Sequence, residues 1–326
     1  CSRKDAAVHI WNSDSDVSTL LHGHSLGVRA VAFSPDGTRL FSAGQDLLGL
    51  VRDTVEWQPQ LRLEGHWKAI NAGAFSADGS QLASGSDDGT LRTWNASTGN
   101  LIDCWQHDGP VVSVAACPLE SGRWFTACRD AGVRLWTTRH AESRLVSHCD
   151  FEITCLAAAQ HSQPASAEAA TRVAIAGGKS LTVVSLAGGR IEVSRDLEQG
   201  SRDLEQGSRF DLEENGTIHD VVFSSDGERL YVAVDTSIRC LDLQSGSWRT
   251  VLEPSCRITT LAVTVDESTL ATGGAQGIVW RRPLSLPLEA AEPSCEVAAA
   301  PVAAPVGTPV GTPVGTPVGT PVGTPV

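Results

Sequence analysis

Along most of the chain, apolar and small residues alternate with polar ones in short runs separated by turn residues. The stretch VRAVAFSPDGTRLFSAG (28–44) is typical: six alternating positions, a break at Pro35-Asp36-Gly37, then a second alternating run. Period-two alternation predicts half-buried strands, and the Pro-Asp-Gly break predicts the turn joining them, so the stretch reads as a β-hairpin. INAGAFSADGSQLASGS (70–86), VVSVAACPLESGRWFTAC (111–128), IHDVVFSSDGERLYVAV (218–234) and ITTLAVTVDESTLATGG (258–274) repeat it. One supersecondary unit recurring at a fixed step is the mark of a repeat architecture.

The step is 42 residues where it is clearest. It carries Gly23-His24 to Gly65-His66, Ser42 to Ser84 and Asp46 to Asp88, and His107, Thr126, Asp130 and Trp136 follow in the same order. Serine, histidine and aspartate are the parts of a hydrolytic triad, but they are equally the parts of a buried hydrogen-bond network. A buried carboxylate has to accept several hydrogen bonds, and imidazole, hydroxyl and indole N–H can supply them. A triad occurs once, whereas this set recurs, and nothing near it announces an oxyanion site.

The GH pair, hairpin, DG turn and terminal tryptophan resemble the WD-repeat β-propeller family over roughly residues 5–286. The resemblance is closest near His24, His66 and His107 and weakest between His148 and Arg195. It implies a buried structural tetrad in each well-kept unit: His66–Ser84–Asp88–Trp94, His107–Thr126–Asp130–Trp136, and His24–Ser42–Asp46 with Arg52 in the place of tryptophan. Leu241 stands in that place in the unit near Ile218, AIAGGKS replaces the turn aspartate after His148, and Trp280 comes two residues early.

The expected fold is all-β, a seven-bladed propeller lacking its first half-blade, hence six full blades plus a partial one. VHIWN (8–12) and VSTLL (17–21) are the partial blade, and full blades begin near Val28, Ile70, Val111, Ile153, Ile218 and Ile258. A six-bladed ring with an extra N-terminal hairpin is the alternative. The propeller is expected over 1–286, with a low-complexity loop at about 194–215 where SRDLEQG is duplicated. A disordered Ala/Pro-rich and GTPV-repeat tail is expected over 287–326.

Composition narrows the function. A net charge of −13 argues against nucleic acid as a partner. No run reaches the 18 or so apolar residues of a membrane helix, so no membrane partner is expected. Nine scattered cysteines read as reduced thiols in an intracellular protein, cytoplasmic or nuclear, and His148, Cys149 and Cys155 match no zinc spacing, so no metal is expected. Methionine is absent even at position 1, so the chain is expected to be a fragment whose targeting signals cannot be assessed. No phosphate-binding loop, metalloprotease motif or isolated nucleophile is present, and neither a cofactor nor a small-molecule substrate is expected.

What the resemblance implies is a non-catalytic scaffold that binds other proteins through one face of the ring. On that face the candidates are Arg29, Gln45, Trp67, Lys68, Asn71, Asp87 and Arg129. A first alternative is a substrate receptor of a cullin-type ubiquitin ligase, through a WDxR-like box with Asp130, Trp136 and Arg139, broken by Thr137. A second is the sensor propeller of a larger signalling protein whose N-terminal catalytic domain is missing. The last is a propeller enzyme.

Overall fold

The computed structural model describes residues 6–11, 18–138, 142–161, 170–187, 190–192, 208–211, 216–253, 256–264, 268–274, 278–284 and 294–297. A two-stranded sheet, β1 (Val8–Trp11) with β2 (Ser18–Leu21), comes first. The first full sheet holds β3 (Val28–Phe33), β4 (Arg39–Gly44), β5 (Gly49–Asp53) and β6 (Pro59–Leu63). The second holds β7 (Ile70–Phe75), β8 (Gln81–Ser86), β9 (Thr90–Asn95) and β10 (Leu101–Gln106), and the third β11 (Val111–Ala116), β12 (Arg123–Cys128), β13 (Gly132–Thr137) and β14 (Glu142–His148). In the fourth, β15 (Cys155–His161), β16 (Ala170–Gly177) and β17 (Ser180–Ala187) carry two short outer pieces, β18 (Arg190–Glu192) and β19 (Ser208–Asp211). The fifth is β20 (Ile218–Phe223), β21 (Arg229–Val234), β22 (Ser237–Asp242) and β23 (Trp248–Leu252). The sixth is β24 (Ile258–Val263), β25 (Thr269–Gly274), β26 (Ile278–Pro283) and β27 (Ser294–Val297).

Every pairing is antiparallel between strands consecutive in the chain, apart from the split outer strand of the fourth sheet. The turn chemistry explains the inner hairpins. In the first, Ser34 donates its hydroxyl to Asp36 (2.5 Å) and accepts from the Arg39 N–H (2.9 Å), while Gly37 supplies the left-handed residue at φ 70°. Ser76–Asp78–Gly79 and Ser224–Asp226–Gly227 close the second and fifth hairpins in the same way. Hydrogen bonds from Ser34 and the Thr38 N–H hold the Asp36 carboxyl down at about 2.

Neighbouring sheets meet face to face through their first strands: β3 lies on β7, β7 on β11, β11 on β15, β15 on β20, and β20 on β24. The second strand of each sheet also touches the first strand of the next. First strands therefore converge, and the core is a set of separate apolar seams. One of them packs Phe41, Val51 and Leu63 against Ile70, Phe75 and Leu82. This is the arrangement of propeller blades, and the half-sheet joins it by placing Val8 and Leu21 against Val28 and Leu40.

Two expected boundaries shift. The last sheet takes its outer strand from Ser294–Val297, beyond the expected limit at 286, because these four residues lie between Pro293 and Pro301 and are free to pair with Ile278–Arg281. The segment expected as a loop over 194–215 contains β19. Arg190–Glu192 pairs with one half of β17 and Ser208–Asp211 with the other, so the outer strand of this blade is made of two pieces, and the second of them falls inside the segment expected as a loop between blades. An outer strand has a free edge, where an interruption costs few ladder bonds. The rest of the expected tail, and Arg139, lie outside the described residues.

Candidate protein-binding face and the buried histidine networks

The second unit contains a complete network. The Trp94 indole N–H donates to Ser84 Oγ (2.9 Å), and Ser84 Oγ lies 2.8 Å from His66 Nε2, with His66 Nδ1 2.8 Å from Asp88. Indole can only donate and carboxylate only accept, so the chain of bonds has one direction: Trp94 to Ser84, Ser84 to His66 Nε2, His66 Nδ1–H to Asp88. Asp88 also accepts from the Thr90 hydroxyl (2.6 Å), the Thr90 N–H (2.8 Å) and the Trp67 N–H (3.2 Å). Burial alone would raise the Asp88 carboxyl, but the bonds from His66 and Thr90 outweigh it and hold the group well below the usual carboxylate range. The serine hydroxyl is thus committed between indole and imidazole in a buried site, a staple joining the turn before one strand to the turn after the next.

The first unit keeps three of these groups. His24 contacts Asp46 (2.9 Å) and Ser42 (2.9 Å). Arg52 fills the tryptophan place, buried, and donates to the carbonyls of His22 and Trp57.

The third unit departs from expectation. His107 Nε2 meets Thr126 (2.9 Å) and the Trp136 N–H donates to Thr126 (2.8 Å), but Asp130 bonds to Arg134 (3.2 Å) and to the Gly132 N–H, and does not reach His107. His107 Nδ1 is left buried without a hydrogen-bond partner. The reason lies one residue upstream. In the second unit Arg92 lies across Gly65, where a Cβ would fall 2.4 Å from the guanidinium. The third unit has Gln106 at that place, and Arg134, the counterpart of Arg92, turns instead to Asp130. Burial and the nearby Arg134 charge lower His107 to about 4.

The turns before each first strand and after each second strand are tied together by backbone bonds. Gln45 N–H donates to Gly27, Asp87 to Ala69, Arg129 to Pro110 and Asp235 to Thr217, so these turns share one face of the ring. The partner-binding candidates divide here. Trp67 is 62% exposed, with Lys68 Nζ 4.6 Å from its ring centroid. Arg29 donates to Asn71 (2.6 Å) and Asp87 (3.0 Å), and Asn71 donates on to Asp87 and to the Val111 carbonyl. These three bridge the first, second and third sheets. Gln45 is half-buried, and Arg129 is exposed beside Glu152 at 3.4 Å.

Two residues of this face escaped the sequence reading. Leu26 is more than half exposed, and Leu47 is exposed while held at φ 68°, where the second unit has Gly89 at φ 78°. The sign was present in the sequence, since a leucine aligned with a glycine of the repeat is an anomaly.

Among known families, residues 15–47 and 57–95 match the model described as WD domain, G-beta repeat. The two matched stretches contain the His24 and His66 networks. These two matches support a WD-repeat assignment over residues 15–47 and 57–95. No curated protein sequence matches the chain. WD repeats generally mediate protein–protein interactions and are typically non-catalytic. The Trp136 indole, part of the ligase-like box, is buried, bonded to Thr126 and stacked on Trp105 at 5.6 Å between centroids. Among the described residues no cluster of three or more histidine, cysteine, aspartate or glutamate side chains could hold a metal ion.

Proposed function

We infer that the chain is a non-catalytic platform that binds another protein on the turn-bearing face, with Trp67 as the anchor. The observation that carries this reading is the Trp67–Lys68 pair, an exposed indole with the ammonium of its neighbour over the ring. Exposed tryptophan is rare on a free surface and common at the centre of binding patches. Leu47 supports the reading. A non-glycine residue in the left-handed region costs roughly 1–2 kcal/mol, and such strain is retained where an outward side chain is needed.

Beneath this face the Arg29–Asn71–Asp87 bridges hold neighbouring blades in fixed relation, so an incoming partner meets a preorganised surface. The test is affinity capture with the full chain as bait, beside a second bait carrying Trp67→Ala, Lys68→Glu and Arg129→Glu. Partners held by the first bait and lost by the second support the reading. Identical captures from two equally folded baits reject this face. Ubiquitin-ligase subunits among the lost partners would identify the assembly.

A further inference from the structure

The seam between the second and third sheets differs from its sisters in what it buries. Alternation places Gln81, Ala83, Thr93, Asp103 and Trp105 on the face of the second sheet turned to the third, with Thr93 flanked by Ala83 and Asp103. Trp124 meets them from β12, in one cluster with Ala83, Leu91 and Trp105. A Cβ at Gly122, in the turn before β12, would lie 3.6 Å from Gln81 Nε2, so Gln81 also reaches the third sheet.

Four polar atoms of this seam are buried with no hydrogen-bond partner among the described residues: Gln81 Oε1, Thr93 Oγ1, Asp103 Oδ2 and Trp124 Nε1. Burial pushes the Asp103 carboxyl up, and no hydrogen bond offsets it. The other seams carry neither hydroxyl nor indole at the two fully buried places. Where this seam has Thr93, they have Val51, Leu135, Val183 and Cys240. Where it has Trp124, they have Leu82, Val173, Leu230 and Leu270. The clamp is missing as well. Gln81 stands where other sheets have arginine: Arg39 crosses the first seam to the carbonyls of Ala96 (2.7 Å) and Gly79 (2.8 Å), and Arg172 crosses the fourth to Gly227 (2.7 Å). An unpartnered polar group loses its hydration on burial and recovers it when water enters, so closing this seam is opposed at four atoms and secured by no guanidinium.

We propose that the seam between the second and third sheets is the opening joint of the ring, hinged at the first strands and admitting water between the outer ones. The hinge follows from the inner end, where the Asn71 side-chain N–H holds the Val111 carbonyl at 3.0 Å and ties β7 to β11. The four unpartnered atoms lie on β8, β9, β10 and β12, away from that bond. Opening there breaks no ladder within a sheet and lies at the low end of the local stabilities of a fold. The joint separates the blade that presents Trp67 from the blade that presents Arg129, and it stands whatever that face binds.

Thiol labelling reads the opening, because a buried thiol reacts only while its seam is open. Thr93→Cys, Val51→Cys and the native Cys240 place a thiol at the same register in three seams. Each protein is treated with iodoacetamide under native conditions, and modification is followed by mass spectrometry of its peptides. Expected is labelling of the Thr93→Cys thiol at least tenfold faster than that of Val51→Cys or Cys240. Adding Trp124→Phe and Asp103→Leu, which remove the N–H and the carboxylate, should slow it at least tenfold. Equal rates in the three seams, or no slowing by the added substitutions, overturn the proposal. If Thr93→Cys unfolds at lower urea than the parent, indole exchange in the unsubstituted chain replaces it. The Trp124 N–H should then exchange with deuterated water at least tenfold faster than the Trp94 N–H of the first seam, and equal or slower exchange overturns the proposal.

Discussion

Acidification should weaken the fold through His107 before the carboxylates titrate. In the folded chain this imidazole is buried, with Nδ1 unpartnered, and has a pKa of about 4 against an ordinary 6.5. The unfolded chain takes up a proton as pH falls through 6.5, and the folded chain does not until about 4. Stability is therefore fully present above 6.5 and declines through the window between the two values. At about 1.4 kcal/mol per pH unit, the interval from 6.5 to about 4 is worth roughly 3 kcal/mol. Urea unfolding of the full chain and of His107→Gln, at half-unit steps from pH 7.5 to 4, should give curves that converge as pH falls, because the variant lacks the titrating group. Imidazole carbon shifts of labelled histidine should show His107 unchanged down to about pH 5. Parallel stability curves for the two proteins, or a His107 midpoint near 6.5, would refute the reasoning.

Two further substitutions separate the roles of staple and face. Ser84→Ala removes the acceptor of the Trp94 N–H and the donor to His66 in one step, leaving two buried polar groups unpaired, and should cost about 2–3 kcal/mol in denaturant unfolding. Ser42→Ala, where no tryptophan donates, should cost about half as much, and equal losses would argue against the directional chain of bonds. Leu47→Gly relieves a left-handed leucine and should raise stability by up to about 1 kcal/mol while reducing partner capture. A stabilised variant with undiminished capture would leave Leu47 without a part in binding.

The repeat made the hairpins legible because turn residues and alternation are local, and local chemistry survives translation into structure with little interference. The His66 network was legible for the same reason, since its donors and acceptors sit at a fixed step in a sheet of fixed register. Asp130 was misread because the choice between His107 and Arg134 depends on room for the arginine over a residue in another turn. Gln106 in place of glycine was the visible sign. The outer strands were the least legible elements. Ser294–Val297 and the two pieces flanking the SRDLEQG duplication have little pattern of their own and are held by the edge they pair with.

Staple and face make different demands on the same turns. In the second unit Asp88 accepts from the Trp67 N–H, so the backbone that presents the exposed indole is anchored by the buried network beneath it. The first unit has the corresponding bond, from the Ser25 N–H to Asp46, but presents serine there and places its exposed leucines on either side. The third unit gives up the histidine–aspartate bond, and its turn carries Asp108 and Arg129 at the surface. Networks that fix the backbone leave the outward side chains free to differ from blade to blade. A ring of near-identical frames can in this way carry indole and ammonium on one blade, leucines on the next and charge on a third, and so distinguish among partners without any change of fold.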